Sequence, residues 1–441
     1  MRTTRMLAGL LAVVFLLCAA GWTACAETAG DGSPELELKQ VVVLSRHNIR
    51  APLAGPGSVL DTVTPHSWIQ FSADPGELTA RGGAMETIMG IWFRNWLLSE
   101  GLLPNNYRPE EGEVRFYSNA YQRTIATSRF FAAGFLPAAD VDIETHADFG
   151  RMDPTYHVKL TYYSEAYRNA VEEEIARIYG VADISRIGET LKDAYAFLED
   201  VIDLKDSAAY ADGSVTGFAA DDDAFTWTLG ASPSVEGSLK LGCQIADALV
   251  LQYYEEADDA KAGFGTAVSE EEMRLISEIK DTYVDALYAA PLIAVNVANP
   301  LLKEIAGELN TDGRVFTFLC GHDSNLASVL SALDCKPEQT VGSIEPSVPI
   351  GSKIVFEKWA DPEGKLYARM RMIYPSAAQL RSLTLLDEDH PPMILTLEFS
   401  DLAADENGFY PYEELMNRFE KLFAAYDSLP EIYGEDLEEA A

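Results

Sequence analysis

No CxxC pair, no cluster of cysteine with histidine, and no HxH or HExxH spacing among 6 histidines occurs in this sequence, so it offers no ligand pattern for zinc. A Walker loop, a GxGxxG behind a strand and a GxSxG elbow are also missing, which removes the usual signals for nucleotides, dinucleotide cofactors and serine hydrolases. Basic residues are scarce. Against 70 Asp and Glu stand 33 Lys and Arg, a formal charge of −37, and nucleic acid and anionic lipid are poor partners for such a surface. Cysteine is sparse too: beyond the N-terminal region only Cys243, Cys320 and Cys335 remain, an odd set that cannot fully pair. Cys320 sits in an apolar run and reads as a core thiol. There is no repeat at a fixed period, and past the N-terminus no stretch approaches the roughly 20 apolar residues that cross a bilayer.

The N-terminus itself holds Arg2 and Arg5, an apolar run from Leu7 to Gly21, and Ala24-Cys25-Ala26, a small-x-small cleavage site. This predicts a signal peptide over 1–26, a mature chain beginning near Glu27, and export to a periplasmic or extracellular space. The rival is a lipoprotein box at Trp22-Thr23-Ala24-Cys25 with Cys25 acylated and 27–34 as a tether. Trp in the first box position weighs against it. An exported chain of this charge also sets a problem, because an anionic substrate needs a positive pocket inside a repulsive field.

With 441 residues, 48% hydrophobic and 23% charged, the chain exceeds one ordinary core, which favours a large domain with an insertion. Gln40–Ser45 is a β-branched run suited to a strand buried on both faces. Met85, Ile88, Met89, Trp92 and Trp96 recur at helical spacing as core. A strand near Val114–Tyr117 precedes Ser118 and Asn119, candidate caps for a helix from about Tyr121 to Ala133 stopped by Gly134. From 156 to 309 the pattern turns helical, at 165–178, 237–256, 268–289 and 291–308. Val315–Cys320 is again a buried strand, followed by a helix with the stripe Leu326, Val329, Leu330 and Leu333. Strand-like runs at 353–359, 366–374 and 393–398 and a helix near 412–424 close the chain. The expectation is an α/β fold: a central mostly parallel sheet flanked by helices, built from 36–155 and 310–441, with a mostly helical domain inserted at 156–309.

Three strand-to-helix junctions carry the polar residues that matter. In open α/β sheets such groups collect at the carboxyl edge of the strands, beside helix N-termini that favour anions. Arg46-His47-x-x-Arg50 sets an imidazole between two guanidinium groups, whose planar forks suit phosphate oxygens, and the cations keep His47 neutral and nucleophilic. A surface histidine with arginines paired to acids is the plainer alternative. Asp323 suits proton donation to a leaving oxygen, with His322 bonding the phosphate, although Asp323 or Ser324 could simply cap the following helix. Arg123 is a further phosphate ligand or an ordinary surface arginine.

SRHNIRAPL at 45–53 followed by GHDSNLAS at 321–328 resembles the histidine acid phosphatase family. YSNAYQRTIAT at 117–127, GRMDPTY at 150–156, PIGSKIVFEKW at 349–359 and GFYPYEEL at 408–415 extend the resemblance in order over nearly the whole mature chain. It implies a phosphomonoesterase without cofactor or metal, acting through a phosphohistidine. It makes His47 the nucleophile, Asp323 the proton donor, and Arg46, Arg50, Arg123 and His322 the phosphate clamp. The implied substrate is a small phosphate ester, glucose 1-phosphate or a similar sugar phosphate, with an inositol phosphate such as phytate as the alternative. Asn48 departs from the glycine that most of the family shows there, and FTWTLGASPSVE at 225–236 departs in a region expected to border the leaving-group pocket. A cytoplasmic phosphotransferase resembling phosphoglycerate mutase is opposed by the leader. A non-catalytic lipoprotein capturing phosphorylated ligands is opposed by the presence of both His47 and Asp323.

Overall fold

The β-branched run becomes the middle of the sheet. In the computed structural model, which describes residues 36–55, 57–337 and 339–434, strand β1 (Glu37–Arg46) lies between two neighbours with Val41 to Leu44 fully buried. Residues 1–26, with the expected leader and Cys25, lie outside the described residues. From Glu37 onward the chain gathers into one compact unit.

Six further strands complete this sheet among the described residues: β2 (Val114–Ser118), β5 (Phe316–Gly321), β6 (Lys353–Ala360), β7 (Leu366–Tyr374), β8 (Met393–Thr396) and β9 (Phe409–Pro411). A separate short hairpin joins β3 (Ala224–Thr226) to β4 (Ser234–Glu236), inside the stretch expected to be helical. The order β2-β5-β1-β6-β7-β8 is parallel across β2, β5 and β1 and antiparallel beyond β1, with β9 also on β7. Parallel character is thus confined to the strands whose ends carry the three junctions. The other half is antiparallel because β6 returns directly into β7 after a tight turn, a connection too short for a parallel crossover.

Register aligns the junctions. Ser45 pairs with Cys320 and Ser118 pairs with the same Cys320, while Arg46 pairs with Gly321. The residues that follow therefore leave the sheet side by side. His47 N–H donates to the Gly321 carbonyl at 3.1 Å, and Asn119 N–H to the Cys320 carbonyl at 2.9 Å, so the alignment continues one residue past each strand.

Helices α1 (Ala80–Ser99) and α2 (Gln122–Phe135) cover one side of this edge. Gly134 stands one residue before the end of α2 at Phe135, next to the stop expected there. It lies inside the helix at a close crossing, where a Cβ would stand 2.2 Å from the Thr87 carbonyl oxygen, and Gly90 faces Phe131 in the same way. Ser118 and Asn119 do not cap α2: the cap position is Tyr121, without a side-chain bond, and Asn119 is used elsewhere.

The region 156–309 contains α3 (Glu165–Tyr179), α4 (Lys192–Val201), α5 (Ser238–Glu255), α6 (Glu270–Val284), α7 (Pro291–Val297) and α8 (Asn299–Leu309), besides shorter turns. The stretch expected over 268–289 loosens to a π turn at Asp285–Ala289, and Pro291 and Pro300 open α7 and α8, splitting the segment expected over 291–308. After β5 comes α9 (Asp323–Leu333), and α10 (Tyr412–Asp427) closes the fold. Leu326, Val329, Leu330 and Leu333 on α9 join Leu301, Ile305, Ile354, Phe356 and Phe419 in one core.

Candidate active site

The three aligned junctions open into a cavity of about 550 Å³ lined by His47, Arg50, Arg123, His322 and Asp323, together with Lys280, Asp247 and residues of the helical region. Five of the six residues singled out in the sequence thus share its wall. Arg46 lies behind it, almost wholly buried.

His47 is held in one tautomer. Its Nδ1 stands 2.9 Å from the Asn48 carbonyl oxygen, which can only accept, so Nδ1 carries the hydrogen and Nε2 keeps the lone pair. Burial pushes its pKa well below the usual histidine value, and Arg123, His322, Arg50 and Arg46 push it the same way. The ring is therefore neutral and has a free nitrogen at this site. Asn48 fastens the turn: its amide donates to Glu86 Oε1 at 2.7 Å and accepts from Ile49 N–H at 2.8 Å. Glycine there would leave buried Glu86 to Lys353 alone, at 3.1 Å. The turn is also tied to α1, where Thr79 N–H donates to the Ile49 carbonyl and a Cβ on Gly82 would fall 2.4 Å from the same oxygen.

His322 takes the same tautomer, fixed through its other nitrogen. The Asn119 oxygen accepts from the N–H groups of Ala120 and Asp153, at 2.8 and 2.9 Å, which turns its NH2 toward His322 Nε2 at 2.6 Å. Nε2 accepts, so the neutral ring bears its hydrogen on Nδ1. That atom faces an Arg123 nitrogen at 3.4 Å, and the Arg123 Nε is buried without a partner among the described residues. Donors gathered in this way call for an acceptor beside both, and an oxyanion meets that need. Burial and then Arg50 lower Arg123 to about 10, which leaves it cationic at neutral pH.

Asp323 begins α9, and the cap position belongs to His322, so the capping role weighed for Asp323 is not the one it takes. Its Oδ2 lies 3.3 Å from Arg46 and 3.9 Å from Lys280. Burial alone would raise its pKa, but Arg46, Lys280 and Arg50 outweigh that and hold it well below the usual carboxylate range. Asp323 is thereby held as an anion. Arg46 spends its guanidinium on Glu345 at 2.6 Å, the Val348 carbonyl at 2.5 Å and Asp323. Arg50 reaches both oxygens of Asp247 on α5, at 3.2 and 2.9 Å.

Asp247, Lys280 and Glu345 were not foreseen. For Lys280 a signal existed: it falls on the apolar stripe of α6 between Ile276 and Val284, where a lysine is out of place unless paired. Nothing in the local pattern distinguishes Glu345. Ser232, from the departing 225–236 segment, lines the cavity as expected.

A neutral histidine, a carboxylate and a cluster of guanidinium groups thus meet in one cavity at the carboxyl ends of three parallel strands, an arrangement suited to a phosphate ester. The chain belongs to the histidine phosphatase superfamily (branch 2), whose family model matches residues 37–374. It is 36% identical to the glucose-1-phosphatase of Salmonella typhimurium over 89% of this chain and 93% of that one, and 35% identical to the glucose-1-phosphatase of Providencia rettgeri with the same coverage. Among solved structures it resembles the Hafnia alvei phytase in complex with tartrate, with a TM-score of 0.78 and 25% identity over 88% of this chain and 98% of that one. The protein is a phosphatase of this superfamily acting on small phosphorylated substrates.

Proposed function

We propose that the protein hydrolyses glucose 1-phosphate or a similar sugar monophosphate through a phosphohistidine on His47. The observation that carries this reading is the neutral His47 with its Nε2 lone pair free, in one cavity with Asp323 and a set of fixed cations. Nε2 attacks phosphorus while the bond to the sugar oxygen breaks, and Asp323 gives that oxygen a proton. Water then attacks phosphorus, Asp323 takes up its proton, and the N–P bond breaks to return His47 and free phosphate. Arg50, Arg123 and His322 hold the phosphate oxygens, and Arg46 adds charge from behind.

Asp323 is ionised among these cations and must be protonated in the substrate complex. An incoming phosphate dianion supplies the change, because its negative charge beside Asp323 disfavours the ionised carboxylate. The test is kcat/KM of Asp323→Asn on two esters. A sugar oxygen leaves poorly as an anion and a nitrophenolate leaves well, so the loss should be far greater on glucose 1-phosphate, roughly 100- to 10,000-fold. An equal loss on both would remove Asp323 as proton donor.

Similarity to a phytase structure favours a second reading, an inositol-phosphate phosphatase. Against it stands the cavity wall: apart from Arg50 and Arg123 its Lys and Arg residues are Lys240 and Lys280, and these are tied to Glu236 at 2.6 Å and Glu345 at 2.7 Å. That leaves little free charge for additional phosphates. A higher kcat/KM for phytate than for glucose 1-phosphate would reverse the choice.

The same reading takes 1–26 as an export signal and 156–309 as a helical domain set into the α/β domain. Supporting the latter, all strands except the β3–β4 hairpin fall outside 156–309. The exported protein should begin near Glu27 on N-terminal sequencing; an acylated Cys25 would replace export in soluble form by anchoring.

A further inference from the structure

Lys280 projects from α6 into the wall that holds His47 and Asp323, with its side chain 4% exposed. Its ammonium nitrogen lies 2.7 Å from Glu345 Oε1 and 3.9 Å from Asp323 Oδ2. A buried ammonium is retained only where matching charge surrounds it. Glu345 supplies that charge and is itself immobile: Arg46 holds Oε1 at 2.6 Å, while Ile350 N–H and the Tyr254 hydroxyl hold Oε2 at 2.6 and 3.2 Å. Glu345 thus fixes two cations against one oxygen of Asp323. Neither cation needs a substrate to stay in place.

We propose that Lys280 is a positioning residue that, through Asp323, sets the pH range over which the proton for the leaving group is available. This rests on the reading of Asp323 as proton donor. The other charges facing Asp323 are accounted for. Its neighbouring strand end brings Arg46, His47 and Arg50, α6 brings Asp281 beside Lys280, and Arg123 and His322 look across the cavity. Asp247 is engaged by Arg50, and Tyr283 and Tyr288 are pushed by burial toward staying neutral. Lys280 is the cation in this group that comes from the helical region and reaches Asp323 directly.

The sign follows from charge. A cation beside a carboxylate favours its ionised form, so removing Lys280 leaves Asp323 protonated to higher pH. Lys280→Gln should move the alkaline limb of kcat on glucose 1-phosphate upward by about one to two pH units. KM should hold, and Lys280→Arg should keep the original limb. In an Asp323→Asn background Lys280→Gln should move nothing, since the titrating group is gone. Glu345 retains Arg46, Tyr254 and Ile350 in the variant, so no orphan charge results; if melting shows Lys280→Gln misfolded, Lys280→Met takes its place. An unmoved limb in the folded variant, the same shift in the Asp323→Asn background, or a rise in KM alone would each overturn the proposal. An equal loss of Asp323→Asn on sugar and aryl esters would instead overturn the proton-donor reading beneath it.

Discussion

A single ring nitrogen decides whether this site can work. His47 Nδ1 is committed to the Asn48 carbonyl, so on the proposed mechanism the chemistry falls to Nε2, and burial together with the surrounding cations keeps that atom unprotonated well below the ordinary histidine range. His47→Ala should therefore be inactive on sugar and aryl esters alike, measured as kcat/KM for both. Since the pKa of His47 is lowered, falling pH protonates it late, and the acid limb of kcat/KM should lie below the usual pKa of about 6.5. A limb at or above that value would show that the cations do not act on His47 as described. Much of this was visible beforehand, because Arg46-His47-x-x-Arg50 places the charges in adjacent positions of the chain. The tautomer of His322 was not: it depends on Asn119 and Asp153, which meet only through the fold.

Between the residue and the whole, the elements transmit position. Arg123 sits in the first turn of α2, and α2 lies against α1 through Gly134 and Gly90. A methyl group on Gly134 would press on the Thr87 carbonyl, and backbone cannot yield as a side chain does. Gly134→Ala should lower stability by about 1–3 kcal/mol, read from denaturant unfolding, and raise KM by displacing Arg123. Unchanged stability would mean that the crossing is looser than it looks. The sequence placed the helix stop at Gly134 and the helix ends one residue later, at Phe135; what the sequence did not show is that the close crossing also calls for a glycine there. Conversely, β1, β5 and the stripe of α9 were legible because apolar runs of that length have few other uses. The antiparallel half was not, because strand direction depends on connections rather than on composition.

At the scale of the molecule, a charge of −37 surrounds a site that must attract an anion. The cations are placed where the acids of the surface do not reach them, with Arg46 and Lys280 buried and Arg50 and Arg123 on the cavity wall. On the proposed mechanism these groups supply the charge stabilisation that a metal ion would give elsewhere, so activity on glucose 1-phosphate should survive EDTA undiminished. Loss on chelation, restored by a divalent ion, would contradict that. Composition announced the electrostatic problem, and the partners that solve it, Glu345 and Lys280, are 65 residues apart in sequence. The most direct test of the whole is to look for the covalent intermediate. Protein mixed with p-nitrophenyl phosphate is quenched in alkali during turnover and its peptides are mapped by mass spectrometry. Phosphate should be found on His47, should accumulate in Asp323→Asn because the second step loses its base, and should be absent from His47→Ala. Sustained turnover with no phosphate on His47 in either active form would contradict the mechanism at its centre.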